Sequence, residues 1–494
     1  MRNLSISTFI VCFAVLVTGS VWALDDPTTE PYQDLEAAGI VATDAIYPFA
    51  SLAAIGVNTG TRHNTVGALP NGNFVLITNT GGSNMAAVVL SPQGDIVAGP
   101  APVAHDANGP IGWLEEGVST DTGDPWLGIS RDGSQVAIVM DTTGFDWEGY
   151  HFNNAIYPND PGSVYMQILN TSDLSPVGTA VSVFPGSVTA PTVDETNFGY
   201  FPVGQMPNGN WIILARSRDQ WSSELRNQDL DAQGRPNQTQ RVGVMTIVNS
   251  NLTAAVVAPK FFGRQYGHVL EENPNQWNAE PSRGVVPYAD GCVVTYAGPH
   301  GWATVDGQGN ASAWHLFKGV DASGNDVQFW GDGNQGGLLT NGMYLTGKSE
   351  GSQYAVYDAR TGERIRAVSM TNWEFASPQR SFAGMNPQGQ VFQIWQEHGL
   401  YGINKKIPVG RFADADGNVY GDAPFVLMES GTEEGGMNEN ERGQCAFGNA
   451  AAIYANQDGL RPDKPADMAT ECVVRIFANP FGPPAGVDDG WELY

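Results

Sequence analysis

Carboxylate and amide side chains alternate along one short stretch, Asp414-Ala-Asp-Gly-Asn-Val-Tyr-Gly-Asp422. Oxygen atoms supplied at alternate positions of a tight loop can converge on a hard cation such as Ca²⁺. The stretch therefore predicts a structural calcium ion, whose candidate ligands are Asp414, Asp416, Asn418, the Tyr420 carbonyl and Asp422. The alternative is a plain hairpin turn, because Asp321-Ala-Ser-Gly-Asn325 has the same shape without the ligands.

Tryptophans recur in or beside segments that have the composition of loops or insertions. Exposed aromatic rings stack on sugar rings, and neighbouring Asn, Asp and Arg side chains bond sugar hydroxyls. These positions predict a glycan-binding surface, whose candidate residues are Trp113, Trp126, Trp147, Trp221, Trp277 and Trp302. The alternative is that some of these tryptophans are buried between sheets.

Cysteines and histidines give less specific signals. In an oxidising compartment Cys445 and Cys472 could form a disulfide, whereas Cys292 lies within a predicted strand as a buried thiol. The alternative leaves all of these thiols reduced and buried. No CxxC pair or Cys/His cluster has the spacing of a zinc site.

One repeated pattern marks the elements that must position these residues: a strand, an Asn-Gly or Asp-Gly turn, and a second strand. Phe198–Arg216 shows it in full. Because Asn-Gly readily supplies positive φ angles, each copy predicts a two-residue hairpin. The turn glycines are Gly72, Gly133, Gly209, Gly291, Gly342 and Gly389.

The spacing of the later turns matches a four-stranded propeller blade, which takes about 40–50 residues. The earlier units carry insertions, at Ala101–Gly123, Thr142–Pro161 and Arg218–Gln240. The sequence predicts an all-β propeller of four-stranded antiparallel blades, with seven blades favoured and six or eight as alternatives. A last blade near residues 444–477 would close the ring with an N-terminal strand from Ile46–Val57.

The N-terminal residues predict export to a secreted or periplasmic location. Arg2, the apolar run Phe9–Val17 and the small residue Ala23 have the order of a secretory signal peptide. The predicted domains are a signal peptide (1–23), a linker or strap with one short helix near Tyr32–Ala38 (24–45), the propeller (46–478) and a tail (479–494).

Charge and hydropathy exclude some partners. The formal net charge is −28, from 24 Lys and Arg against 52 Asp and Glu. Such a surface repels nucleic acid and anionic lipid. After the signal, no stretch reaches the roughly 18 apolar residues that indicate a membrane-spanning helix.

Most of residues 46–478 resembles the repeats of sialidase-type (bacterial neuraminidase) β-propellers, in which a strand, an Asn/Asp-Gly turn and an aromatic-rich strand recur. The stricter Asp-box of that family is absent, and Ser130-Arg-Asp-Gly-Ser134 is only a loose match. An arginine triad with a Tyr/Glu pair cannot be assembled from the sequence. The resemblance therefore implies the fold and not sialidase activity.

A narrower resemblance, to secreted propeller polysaccharide lyases of the ulvan-lyase type, rests on Tyr200 and Arg216. It implies that a base removes the proton next to a uronate carboxylate, which Arg or His neutralises. His63 and His151 are the candidate histidines, but Ser83-Asn84 stands where a second histidine would follow His63. The alternative is that Tyr200 and Arg216 only pair within one hairpin.

Three functions follow from these patterns. The first is a propeller that binds a glycan or another polar ligand through inserted aromatic loops. The second is a lyase or hydrolase that cleaves an acidic polysaccharide. The third is an extracellular structural protein whose Gly- and Asn-rich, weakly charged surfaces associate with copies of itself.

Overall fold

A computed structural model gives the architecture of the chain, and all of its described regular structure is β-strand. The described residues are 32–48, 64–79, 85–103, 126–141, 164–184, 198–199, 201–218, 241–264, 280–288, 291–297, 301–311, 315–316, 318–320, 325–328, 343–347, 353–358, 361, 363–371, 377–398, 406–427, 445–455 and 471–482. They belong to one compact unit, Tyr32–Tyr494. The predicted signal peptide and tail beyond residue 482 lie outside them.

The strands form consecutive antiparallel sheets, numbered I to VII in chain order. Sheet I contains β2 (Asn64–Ala68), β3 (Phe74–Asn79), β4 (Met85–Leu90) and β5 (Ile96–Val103). Sheet II contains β6 (Trp126–Ile129), β7 (Gln135–Asp141), β8 (Val164–Asn170) and β9 (Val181–Phe184). Sheet III contains β10 (Phe198–Gly199), β11 (Val203–Gln205), β12 (Trp211–Arg218), β13 (Arg241–Val248) and β14 (Ala255–Arg264).

The next sheets continue this order. Sheet IV contains β15 (Glu280–Tyr288), β16 (Gly291–Ala297), β17 (Gly301–Val305) and β18 (His315–Leu316). A separate pair, β19 (Lys318–Val320) and β20 (Asp326–Gln328), precedes sheet V, which contains β21 (Met343–Gly347), β22 (Gln353–Asp358) and β23 (Arg364–Ser369). Sheet VI contains β24 (Ser377–Met385), β25 (Val391–His398), β26 (Lys406–Ala413) and β27 (Phe425–Val426).

Sheet VII combines the two ends of the chain. It contains β1 (Ala42–Pro48), β28 (Cys445–Phe447), β29 (Ala450–Ala455) and β30 (Glu471–Ala478), with β1 paired to β30. Closure by an N-terminal strand is thus confirmed, although the strand begins at Ala42 and includes residues predicted as linker. The short helix predicted near Tyr32–Ala38 is wrong: residues 35–39 form a hydrogen-bonded turn.

An ion pair fastens this closing strand. Asp44 and Arg475 are register partners, and both carboxylate oxygens accept hydrogen bonds from the guanidinium, at 2.6 and 2.7 Å. The same guanidinium donates to the Leu427 carbonyl at 2.6 Å, beyond β27 of sheet VI. One side chain therefore connects the first strand, the last strand and the preceding sheet.

Hydrophobic contacts join each sheet to the next and the last sheet to the first. Six clusters of buried residues fill the interfaces VII–I, I–II, II–III, III–IV, V–VI and VI–VII. Across the IV–V interface the rings of Trp302 and Tyr357 lie 6.3 Å apart. The sheets therefore enclose an axis as a β-propeller, which confirms the predicted fold class. The number of blades stays a prediction, since β19 and β20 form a small additional sheet.

The predicted two-residue hairpin is wrong in its geometry at Gly72, Gly209 and Gly389. The Gly72 amide donates to Leu69 O at 2.9 Å, and the Leu69 amide donates to Asn73 O at 2.8 Å, which makes a three-residue loop. Gly72 has φ +88°, whereas Asn71 is not among the positive-φ residues. This is a turn followed by one left-handed residue, in which glycine supplies the left-handed position and the preceding Asn does not.

A second glycine, five positions before the turn glycine, allows the first strands of neighbouring sheets to approach each other. The Asn-Gly pattern alone does not reveal this glycine. Gly67, Gly128, Gly204 and Gly384 all occupy this place. A Cβ added at Gly128 would lie 2.7 Å from Val203 O on β11 of the next sheet. A Cβ at Gly204 would lie 2.6 Å from Val285 Cγ1 on β15.

Replacing Gly128 with alanine should destabilise the ring more than the same change at Gly67. At Gly128 the added methyl meets backbone, whereas at Gly67 it meets the side-chain ends of Leu127 and Ile129 at 2.6 and 2.8 Å, which can move. Overpacking of this kind costs about 1–3 kcal/mol. Urea unfolding followed by tryptophan fluorescence measures both variants, and equal losses would contradict the strand-approach explanation.

Candidate ligand-binding face

The strand connections separate the ring into two faces. In an antiparallel meander, successive connections alternate between the two ends of the strands. The turns at Gly72, Gly133, Gly209 and Gly389 join first to second strands on one side of the ring, which we name the turn face. The opposite side of the ring, named the insertion face, carries the second-to-third connections and those between sheets. All three predicted insertions attach there.

The four candidate catalytic residues attach to the insertion face on sheets I to III. Arg216 lies near the end of β12, where Gly199 of β10 is its register partner. Tyr200 directly follows Gly199, His63 directly precedes Asn64 of β2, and His151 belongs to the segment between β7 and β8. Those three residues and the Arg216 side chain lie outside the described part of the structure.

Two of the six candidate tryptophans are core residues, which corrects their assignment as ligand contacts. Trp126 is 5% exposed in the II–III cluster, and Trp302 is 0% exposed. A ring buried between sheets cannot stack on a sugar, so the alternative stated above holds for both. Trp113, Trp147, Trp221 and Trp277 lie outside the described residues, in segments that the strands join at the insertion face.

The predicted calcium loop lies on the opposite, turn face. Asp414 Oδ1 accepts hydrogen bonds from the amides of Asp416, at 3.0 Å, and Asn418, at 2.8 Å. Asp414 Oδ2 accepts one from Asn418 Nδ2 at 2.8 Å. Asp306 holds the turn of sheet IV in the same way, accepting from Gln308 N, Asn310 N and Asn310 Nδ2. The hydrogen bonds of Asp414 are thus those of a recurrent turn.

Arg411 uses other oxygens of this loop. It is 6% exposed on β26 and donates to the carbonyls of Tyr420, at 3.1 Å, Gly421 and Met370, the last at 2.6 Å. Burial lowers the pKa of Arg411, and attraction to Asp422 acts in the opposite direction. Two candidate calcium ligands, the Tyr420 carbonyl and Asp422, thus interact with Arg411. The sequence analysis missed this residue, because a single Arg in an apolar strand carries no motif.

Within the described residues, no group of three or more His, Cys, Asp or Glu side chains lies close enough to hold a metal. Two of the five predicted calcium ligands are neutral groups that make other hydrogen bonds: Asn418 donates to Asp414, and the Tyr420 carbonyl accepts from Arg411. The calcium ion stays a prediction, with Asp414, Asp416, Asn418, the Tyr420 carbonyl and Asp422 as its candidate ligands.

The predicted disulfide is not formed. Cys445 is a free thiol, 1% exposed, with its Sγ 3.6 Å from Phe392 O. It lies on β28, whereas Cys472 lies on β30, and β29 runs between them. Strands two positions apart are about 9–10 Å apart, beyond the reach of a disulfide. Burial raises the pKa of the Cys445 thiol, and Cys292 is likewise a buried free thiol, as predicted.

Comparison with known proteins adds likeness of fold. No protein family and no curated protein sequence matches the chain. Among solved structures, an α-L-arabinofuranosidase from Fusarium graminearum has 9% identity and a TM-score of 0.43, covering 72% of this chain and 94% of its own. A virginiamycin B lyase from Staphylococcus aureus has 9% identity and a TM-score of 0.41, covering 89% and 100%.

A Trypanosoma rangeli sialidase has 10% identity and a TM-score of 0.39, covering 69% of this chain and 53% of its own. These are β-propeller proteins, like this chain. Likenesses at such low identity and TM-score carry no conclusion about activity, and the sialidase-type resemblance stays a prediction. Among the described residues no helix is long and apolar enough to cross a lipid bilayer.

The charge on Asp414 should make its turn sensitive to acid. Burial raises the pKa of this carboxyl, but hydrogen bonds from Asn418, Asp416 and Gly417 together lower it by more. The pKa of Asp414 therefore lies below its usual value of 3.8. A depressed folded-state pKa contributes stability above about pH 4 that is lost as pH falls through the folded pKa. Asp414→Asn removes the titration but keeps an acceptor, as Asn386 does in the first turn of sheet VI.

We therefore expect the free energy of unfolding of the wild-type chain, relative to Asp414→Asn, to decrease between neutral pH and about pH 3. Urea titrations of both chains at several pH values measure this difference, and a difference that does not change with pH would contradict the assignment.

Thermal unfolding of both chains with and without calcium chloride tests the predicted ion. A calcium-specific rise in melting temperature that Asp414→Asn abolishes would support it, and an equal response of both chains would contradict it.

Proposed function

We propose that this protein is an exported β-propeller that binds a polar ligand, a glycan, on its insertion face. The observation that supports the proposal is the division of the ring into two unlike faces. On the turn face, the chain reverses through short turns whose polar groups bond one another. On the insertion face, the long segments 104–125, 142–163 and 219–240 begin and end at described strands.

Composition supports a sugar as the ligand. Trp113, Trp147, Trp221 and Trp277 occur in segments attached to that face, together with Asn, Asp and Arg. Aromatic rings supply stacking area, and those polar side chains supply hydrogen bonds to hydroxyls. The signal-peptide pattern that ends at Ala23 supports export, which would bring the propeller into contact with extracellular polysaccharides.

Trp147→Ala and Trp221→Ala should each weaken glycan binding by about tenfold, equivalent to about 1.4 kcal/mol, because each removes a stacking surface. Affinity electrophoresis against a panel of neutral and acidic polysaccharides identifies the ligand, and calorimetry then measures the variants. Trp302→Phe is the matched control, since this residue is buried between sheets IV and V: it should reduce stability and leave affinity unchanged.

If no polysaccharide of the panel slows the migration of the folded wild-type chain, the result would contradict glycan binding. If that chain instead forms oligomers in the absence of any polysaccharide, the result would favour a self-associating structural protein.

A second candidate, cleavage of an acidic polysaccharide, is favoured by one observation. Phe198 and Gly199 of β10 pair with Ser217 and Arg216 of β12, so the backbone next to Tyr200 adjoins that of Arg216. This is the juxtaposition that a lyase of the resembled type requires, with Tyr as proton donor or acceptor and Arg beside the carboxylate. His63 or His151 would complete the site.

If the chain is such a lyase, polygalacturonate or another polyuronate should give a rising ultraviolet absorbance as an unsaturated uronate forms. Tyr200→Phe and Arg216→Gln should each lower that rate by at least about a hundredfold, because general acid–base catalysis contributes factors of this size. Arg380→Gln on sheet VI serves as the control. Neither unsaturated uronate nor new reducing ends with any acidic polysaccharide would exclude the enzyme.

A further inference from the structure

Two turns on the turn face share one conformation. Each follows the third strand of its sheet: residues 171–175 follow β8 in sheet II, and residues 249–254 follow β13 in sheet III. In both turns a leucine has a positive φ, which is uncommon for this residue type: +58° at Leu174 and +59° at Leu252. Leu174 is buried at the I–II interface and Leu252 at the II–III interface. The residue before each leucine is exposed at the surface.

The side chain before each leucine closes its turn through one oxygen atom. In sheet II, Asp173 Oδ1 accepts hydrogen bonds from the Ser175 amide at 2.9 Å and the Ser175 hydroxyl at 2.6 Å. In sheet III, Asn251 Oδ1 accepts from the Thr253 hydroxyl at 2.7 Å and from the Thr253 amide at 3.3 Å. Asn249 supports this second turn, since its Oδ1 accepts from the Thr253 amide and its Nδ2 donates to the Thr253 hydroxyl, both at 2.8 Å.

The carboxamide nitrogen of Asn251 is not needed for the turn. A carboxylate makes the same pair of hydrogen bonds at Asp173, so the oxygen of the side chain is sufficient. Among the described residues, no group accepts a hydrogen bond from Asn251 Nδ2. Asn251-Leu252-Thr253 has the order Asn-X-Thr, which is the acceptor signal for N-linked glycosylation of exported proteins. Asn251 therefore presents an exposed, unengaged amide within that signal.

The other signals of this kind are less accessible or lie outside the described residues. After the predicted signal peptide they occur at Asn170, Asn237 and Asn310. Asn170 Nδ2 donates to the Ser175 hydroxyl at 2.8 Å, and Asn310 Nδ2 donates to Asp306 Oδ2 at 3.0 Å. Asn237 belongs to a segment that the structure does not describe. Of the described signals, the one at Asn251 has its amide nitrogen available.

We propose that Asn251 is an acceptor for an N-linked glycan, whose donor is a lipid-pyrophosphate-linked oligosaccharide. In the transfer, Asn251 Nδ2 forms a bond to C1 of the first sugar, and the bond between C1 and the phosphate oxygen breaks. The lipid pyrophosphate leaves with that electron pair, and one Nδ2 proton passes to a base of the transferase. The inference rests on the export that is part of the proposed function. A glycan at Asn251 would lie on the turn face and leave the insertion face accessible.

The test offers the donor to the folded, purified chain together with a single-subunit oligosaccharyltransferase. Intact-mass spectrometry counts the transferred glycans, and glycopeptide mapping locates them. Every chain carries Asn237→Gln, which removes the signal outside the described residues. Asn251→Asp is the matched variant, because Asp173 closes the same turn with a carboxylate. Asp173→Asn is the reciprocal variant, because it supplies the Asn-X-Ser order in the turn of sheet II.

We expect the folded chain to gain the mass of one oligosaccharide, at Asn251. Asn251→Asp should lose this gain and keep its melting temperature, since the turn retains its oxygen acceptor. Asp173→Asn should gain a second oligosaccharide, because the two turns share one conformation. Peptides from a digest of the same chain should accept the oligosaccharide at Asn170 and Asn310 as well, which shows that the folded structure causes the selectivity.

No transfer to Asn251 in the folded chain, with transfer to the digested peptides, would overturn the inference. Equal modification of Asn170, Asn251 and Asn310 in the folded chain would also overturn it, and so would an Asp173→Asn chain that gains nothing. Polysaccharide binding by Asn251→Asp should equal that of the wild-type chain. Failure of the acceptor site therefore leaves the proposed ligand binding standing, and failure of ligand binding leaves the acceptor site standing.

Discussion

Burial of both faces of every sheet is the constraint on which the rest of this structure depends. In β3, Phe74 and Leu76 contact the cluster shared with sheet VII, whereas Val75 and Ile77 contact the cluster shared with sheet II. All four are 0% exposed. An open row of such sheets would leave one apolar face at each end in water, and burial of apolar area is the main favourable term in folding. Closing the ring removes both exposed faces.

Closure brings together parts of the chain that are far apart in sequence. The Asp44–Arg475 pair joins residues separated by 431 positions. An ion pair that is partly exposed contributes modestly by itself. The larger contribution comes from the pairing of β1 with β30, which adds a strand from the first part of the chain to the last sheet. The two hydrogen bonds between Asp44 and Arg475 align these strands.

The ring also determines where polar groups are tolerated. Arg411 brings a guanidinium into the V–VI interface, where desolvation of a charge is unfavourable unless hydrogen bonds replace the lost water. Three backbone carbonyls from two segments provide them. On the turn face, Asp132, Asp306 and Asp414 are similarly engaged within their own turns. The long connections lie on the insertion face, where we propose the ligand contacts.

The sequence alone determined the repeated turns and, through them, the class of fold, because a glycine at a left-handed position and apolar strands on either side are local requirements. It also indicated closure by an N-terminal strand. The sequence could not decide which side chains the ring would bury. Trp126 and Trp302 are residues of a type that often contacts sugars, but they lie between sheets. Nor could it show that a strand separates Cys445 from Cys472. The Asp44–Arg475 pair likewise depends on cross-strand register, since these residues become neighbours only when β1 and β30 pair. Local residue types specify turns and strands, whereas burial and proximity depend on contacts between distant segments, which only the closed tertiary structure defines.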